Sequence, residues 1–179
     1  MKKLIIPALL AAILAGCGST PIDETGGAPV ENRRGSSDVA RVTANTVDGS
    51  GLPAVLTDPK SILSKRSIYF DLDKYEVKDE YKDLVAAHAK FLTNNRGFKV
   101  LLQGNTDERG SSEYNLSLGQ KRSDAVKKSL ILLGAKEDQV ESVSLGKEKP
   151  KADGHDETAW AENRRADILY KGTTGSGEF

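Results

Sequence analysis

The chain has a single cysteine, Cys17, and only two histidines, His88 and His155. One cysteine excludes an internal disulfide, so any fold must stand on its core. Two histidines far apart in sequence offer no spacing that suits a zinc site. Excess charge is also missing. The 26 basic residues are matched by 26 acidic ones. Without Lys2 and Lys3 the count is 24 against 26, a net charge of −2. That balance argues against nucleic-acid binding. The N-terminal apolar run, Leu4 to Ala15 with Pro7 inside it, falls short of the ~20 residues that cross a bilayer as a helix.

What is present begins with that run. Two lysines, an apolar stretch and small residues have the layout of a secretory signal, expected over 1–16. Leu14-Ala15-Gly16-Cys17 resembles a bacterial lipobox, in which the cysteine is lipidated and becomes the mature N-terminus. The alternative is an ordinary signal peptide with a chance cysteine. Gly18 stands where an aspartate would retain an enterobacterial lipoprotein at the inner membrane, so the outer membrane is expected. Residues 17–60 are rich in Gly, Ser, Thr, Pro, Asp and Asn, with single apolar residues lacking any period. They read as a flexible linker below the lipidated cysteine, with local order near Val55-Leu56. Such a linker spans roughly 35 Å r.m.s., and over ~100 Å when drawn out.

The folded domain is expected over 61–171, with a disordered Gly/Thr/Ser tail over 172–179. Asp58-Pro59 can start a short helix through Leu63. Strands are expected at Ser67–Phe70, Phe98–Gln103, Val140–Leu145 and Ala166–Tyr170. Helices are expected at Val77–Asn94, with Tyr81, Leu84, Ala87, His88, Phe91 and Leu92 on one side, and at Ser112–Leu133, stopped by Gly134. The order implies an α/β two-layer sandwich: a small mixed sheet of about four strands with helices packed on one face. The last two strands, with no long helix between them, are expected to pair antiparallel.

Chemistry concentrates in Gly104-Asn105-Thr106-Asp107-Glu108-Arg109-Gly110 and the helix that follows. With Val126 at zero and about 100° per residue, Leu118, Ala125, Ser129, Leu130 and Leu133 fall between roughly −100° and +40°. Lys121, Asp124, Lys127 and Lys128 fall on the opposite side. Arg122, near about −40°, is the one charge inside the apolar arc. A buried guanidinium needs a facing carboxylate or an open cleft. Two readings stand: an internal salt bridge, for example with Asp107, or a cleft awaiting an external carboxylate. Asp107 lies in a strand-end loop, a usual place for ligands, although loop acids are often caps. Free amides at the helix start favour an anion. Together these groups suit a zwitterion such as an amino-acid centre. Catalysis has little support. Asp107 and Glu108 are adjacent and diverge, and Ser111-Ser112 lack a base and read better as helix caps.

The run from Gly104 to Val126 resembles the signature of the OmpA C-terminal-like peptidoglycan-binding domains. Tyr69 to Tyr75, Ser144 to Pro150, Gly154 to Glu157 and Glu162 to Ala166 match as well. With the lipobox, the resemblance points to the family's lipid-anchored members and covers about Lys65 to Tyr170. It implies a non-enzymatic outer-membrane lipoprotein on the periplasmic face, binding peptidoglycan through its meso-diaminopimelate peptide stem. It implies no cofactor beyond covalent diacylglycerol and N-acyl lipid on Cys17. By the resemblance Asp107 pairs with the diaminopimelate amino group and Arg122 with its carboxylate. Leu72 and Asp73 line the same cleft, and Arg109, Asn115 and Leu118 lie near it. Asn105 stands where many relatives carry histidine and is given no titrating role. Arg164 and Arg165 match a family pair and are compatible with a structural role. The Tol-Pal system, envelope integrity, cell division and a TolB-like periplasmic propeller partner follow from the same resemblance. A flagellar stator subunit, which shares the domain, needs a transmembrane helix. A porin needs a barrel, for which the linker is too short and polar.

Overall fold

The computed structural model describes residues 51–172, 175 and 177–179. The expected signal segment, Cys17 and most of the linker lie outside them. Four strands and three α-helices follow in the order β1 (Ser67–Tyr69), α1 (Lys82–Asn94), β2 (Lys99–Asn105), α2 (Ser112–Leu132), β3 (Val140–Gly146), α3 (Glu157–Asn163) and β4 (Arg165–Lys171). The sheet order is β1-β4-β2-β3.

Alternation makes the two faces of this sheet unequal. Along β2 and β4, Val100, Leu102, Ala166, Ile168 and Tyr170 are buried, while their intervening neighbours are only partly covered. The buried face receives α1 and α2. Leu84, Val85, Ala89, Phe91 and Leu92 of α1 and Val126 and Leu130 of α2 complete the core. The mixed α/β sandwich is therefore as the pattern implies, with one exception in strand pairing. β3 and β4 are not neighbours. β4 inserts between β1 and β2, antiparallel to both, and β3 pairs parallel with β2. The connection after β3 is long enough to cross the sheet and contains α3. The central place buries Ile168 and Tyr170 completely.

Other departures are local. α1 starts at Lys82 after a 3-10 turn over Asp79–Tyr81, because Lys78 is extended and no side chain caps the turn. The domain also begins before residue 61. Leu52 and Leu56 are core residues, and the Leu56 carbonyl accepts from Arg66 Nη2 at 2.6 Å. Leu133, expected on the apolar arc, is half exposed because α2 ends at Leu132 and the chain turns through Gly134 at φ +102°. The segment between β3 and β4, where no long helix was expected, carries the short α3, capped by Asp156 accepting from Ala159 N at 2.9 Å. The described end of the tail is not free either. Glu178 N donates to Tyr170 O at 2.9 Å, and its carboxylate accepts from Tyr170 N at 2.8 Å.

Two glycines decide how closely α2 approaches the sheet. A Cβ on Gly104 of β2 would lie 1.8 Å from the Gly119 carbonyl oxygen of α2. One on Gly119 would lie 2.3 Å from Ser144 Oγ of β3. Backbone meets backbone here, so the helix cannot shift away from one added methyl without losing its seat on the sheet.

His88 of α1 is wholly buried, with Nδ1 2.8 Å from the Tyr170 hydroxyl and Nε2 3.0 Å from the Lys65 carbonyl. The neutral ring satisfies both contacts: Nε2–H donates to the carbonyl and Nδ1 accepts from the hydroxyl. Burial, only partly opposed by the Lys65 carbonyl, lowers its pKa from 6.5 to about 4. Between these values the unfolded chain takes a proton that the folded one refuses. Stability therefore falls as pH drops from 6.5 towards 4, by about 3 kcal/mol when complete. Urea unfolding at pH 7 and pH 4.5 is expected to show this loss, and His88→Gln to reduce the pH dependence. Gly104→Ala is expected to cost more than about 3 kcal/mol, read in the same assay.

Candidate functional site

The loop that leaves the carboxyl end of β2, the loop after β1 and the first turns of α2 form a cavity of about 310 Å³. It is lined by Leu72, Asp73, Asp107, Arg109, Asn115, Leu118 and Arg122, with Thr106, Gly110 and Tyr114. All seven residues singled out in the sequence thus converge. The route to this convergence is local. β2 ends at Asn105, Gly110 turns the chain at φ +88°, and Ser111 caps α2 by accepting from Tyr114 N at 3.2 Å. The helix then projects Asn115, Leu118 and Arg122 along one seam.

Arg122 has no exposed surface. Its Nε donates to Lys74 O at 2.9 Å, Nη1 to Asn105 O at 2.9 Å and Nη2 to Asp71 O at 3.2 Å. Its guanidinium carbon lies 5.2 Å from the Phe70 ring centre. Among the described residues no carboxylate forms an ion pair with it. The internal Arg122–Asp107 bridge is therefore absent. The open guanidinium is absent too, because three of its five N–H groups hold backbone. Burial lowers its pKa to about 10, with the Asp107 charge opposing, so it stays protonated at neutral pH. It is a fixed cation under the cavity with two donors left.

Asp107 is equally engaged, but with other arginines. Oδ2 accepts from Arg109 Nη2 at 2.7 Å, and Oδ1 from Arg109 N at 3.1 Å and Nε at 3.3 Å. Arg164 Nη1 stands 3.5 Å from Oδ2. Burial works to raise the Asp107 pKa, yet the fork from Arg109 outweighs it and holds the group below its ordinary value. Arg164 is buried and tied to Phe70 O at 3.1 Å and Glu157 at 2.6 Å, a structural role. Arg165 is likewise bound to Asp167 of its own strand at 2.9 Å. Asn105 is buried and bonded to Gln103 O and Asp167.

The rim differs from this interior. Leu72 is 56% exposed. Asp73 is the one non-glycine among the described residues with positive φ, +58°, and it accepts from the Tyr114 hydroxyl. A left-handed aspartate costs on the order of 1 kcal/mol and persists because its surroundings hold it. Asn115 Nδ2 donates to Arg109 O at 2.8 Å and pins that loop backbone. The support that α3 gives to Glu108 and Arg109 was not foreseen. Trp160 donates to Glu108 at 2.9 Å, and its ring carries the Arg109 guanidinium 4.0 Å from its centre. Asp156, an N-cap residue before Glu157-Thr158-Ala159-Trp160, was the available signal.

The arrangement offers a desolvated cation, an acid held by one partly exposed and one buried arginine, and apolar surface at Leu72 and Leu118. It suits binding of a zwitterion. Among the described residues no cluster of His, Cys, Asp or Glu could hold a metal, and no helix is long and apolar enough to cross a membrane.

The OmpA family model matches residues 69–164. The chain is 40% identical to the peptidoglycan-associated lipoprotein of Pasteurella multocida across 95% of this chain and all of that protein. It is 41% identical to that of Pseudomonas aeruginosa, across 93% of this chain and 95% of that one. A crystal structure of the peptidoglycan-associated lipoprotein from Burkholderia pseudomallei superposes with a TM-score of 0.64 and 58% identity, covering 65% of this chain and 99% of that one. The C-terminal domain of Helicobacter pylori MotB, at 19% identity and a TM-score of 0.56, shares the fold.

Replacing Arg122 leaves three backbone carbonyls, that of Asn105 buried, without this donor. Arg122→Ala is expected to destabilise the domain by about 3 kcal/mol or more. Arg122→Lys, with its single nitrogen, is expected to restore only part of this in denaturant titrations.

Proposed function

The chain belongs to the OmpA family, alongside the peptidoglycan-associated lipoproteins, and from that premise we propose that its domain binds peptidoglycan non-covalently through diaminopimelate. The observation that carries this reading is the single cavity in which buried Arg122 and Asp107 meet beside exposed Leu72. The side-chain centre of meso-diaminopimelate bears an ammonium and a carboxylate on one carbon. Its ammonium suits Asp107. Its carboxylate suits the positive field of the buried Arg122 guanidinium, which low local dielectric strengthens. Leu72 and Leu118 pack against the methylene chain.

Arg122 acts here through a fixed field, not as a reaching arm. Its bonds to Asp71 O and Lys74 O hold the 71–74 loop, and so place Leu72 and Asp73 at the mouth. A rigid site avoids ordering costs on binding. Binding and not hydrolysis is the role assigned, since the arginines hold the Asp107 carboxyl below its ordinary pKa and so disfavour it as a general acid.

The lipobox at Cys17 supports a lipid anchor, and Gly18 supports the outer membrane, facing the periplasm. Anchor, linker and domain together tether that membrane to the wall. The likeness to peptidoglycan-associated lipoproteins also supports a place in the Tol-Pal system, in envelope integrity and cell division, with a TolB-like propeller protein as partner.

Asp107→Asn is expected to abolish co-sedimentation with purified sacculi while far-UV circular dichroism stays native. Sacculi amidated at the diaminopimelate carboxylate are expected to bind more weakly than untreated ones. Wild-type sedimentation of the Asp107 variant would sink the assignment, and released muropeptides would point to an enzyme.

A further inference from the structure

Asp107 has no vacant place for an incoming ammonium. A carboxylate has about four lone-pair directions. Here Oδ1 faces the Arg109 amide at 3.1 Å and Nε at 3.3 Å, and Oδ2 faces Arg109 Nη2 at 2.7 Å and Arg164 Nη1 at 3.5 Å. Any cationic ligand must displace one of these donors. The Arg109 amide is held by the loop, whose carbonyl Asn115 anchors at 2.8 Å. Arg164 has a side chain only 8% exposed and is bound to Phe70 O and Glu157. The Arg109 side chain alone is free to leave. It is 36% exposed, and a second seat is already beside it: the Trp160 ring lies 4.0 Å away and Glu157 Oε2 also 4.0 Å away. Sliding from Asp107 to Glu157 keeps the guanidinium on the indole face throughout, so its stacking is retained.

We propose that Arg109 is a resident surrogate for the ligand's ammonium, occupying Asp107 in the empty site and moving along the Trp160 face to Glu157 when a primary-ammonium ligand enters. The surrogate keeps Asp107 paired while the site is empty. It also sets selectivity. A ligand must present an ammonium able to replace a forked arginine, so neutral sugars and purely acidic peptides leave Arg109 in place. The assignment rests on the peptidoglycan reading above and deepens it.

The experiment compares wild-type and Arg109→Ala full-length mature protein, measuring affinity for purified sacculi and for free meso-diaminopimelate. Trp160 is the sole tryptophan, so its emission reports the movement. The Arg109–Asp107 ion pair is partly exposed and worth little in isolation, so Arg109→Ala is expected to bind about fivefold tighter. Wild-type emission is expected to change at saturating diaminopimelate, with no such change in Arg109→Ala. Unchanged or weaker binding by Arg109→Ala would overturn the surrogate while leaving the peptidoglycan reading intact. Insensitive wild-type emission would overturn it too. Failure of the wild-type protein to bind either probe would instead remove the peptidoglycan reading, and the surrogate with it.

Discussion

One buried guanidinium ties three separate pieces of backbone together. Arg122 reaches the 71–74 loop at two carbonyls and the end of β2 at a third. Without that bond set, the loop carrying Leu72 and Asp73 has little to hold it against α2. The cost of burying an arginine is offset here by charge-assisted bonds to fixed carbonyl dipoles, with no carboxylate involved. That choice leaves the cavity with an uncancelled positive charge. A site meant to receive an anion benefits from a cation whose partners are neutral.

Arg122 depends in turn on the contact between Gly104 and Gly119. Close approach of α2 to β2 brings the helix seam down to the strand end, where Asn105 O meets the guanidinium. Any side chain at either glycine would lift the helix and move Arg122 away from all three carbonyls. Packing at one end of the interface and electrostatics at the other are therefore a single constraint, spread over about one turn of helix.

The acid side of the cavity is built on a different principle. Asp107 is surrounded by two arginines, one fixed and one exchangeable. The exchangeable one stacks on Trp160 of α3, which also binds Glu108, as His155 just before that helix does at 2.8 Å. Fixed positive charge under the floor and movable positive charge at the acid give the two ends unequal adaptability. The carboxylate end is preorganised and the ammonium end is exchanged, which is how the proposed zwitterion grip combines tight placement with reversibility.

The sequence by itself determined the four strands, the two long helices and the seven nominated residues of the site. The runs Phe98–Gln103 and Ala166–Tyr170 marked β2 and β4, and a 3.6-residue period exposed Arg122 as the misplaced charge on α2. Family-like motifs nominated the remaining lining residues, and all seven meet in one cavity. Those signals are local or carried by motif, so they survive without knowledge of the fold. Tertiary structure decided the rest. The insertion of β4 between β1 and β2 depends on which strand needs both flanks covered. The carbonyl partners of Arg122 lie 17, 48 and 51 residues away, and the partners of Asp107 include an arginine beyond α3. Such pairings are set by long-range geometry, which no local pattern encodes. The chemical types at the two ends of the grip were legible in the chain. Which charges were already spoken for was settled only when distant backbone came together.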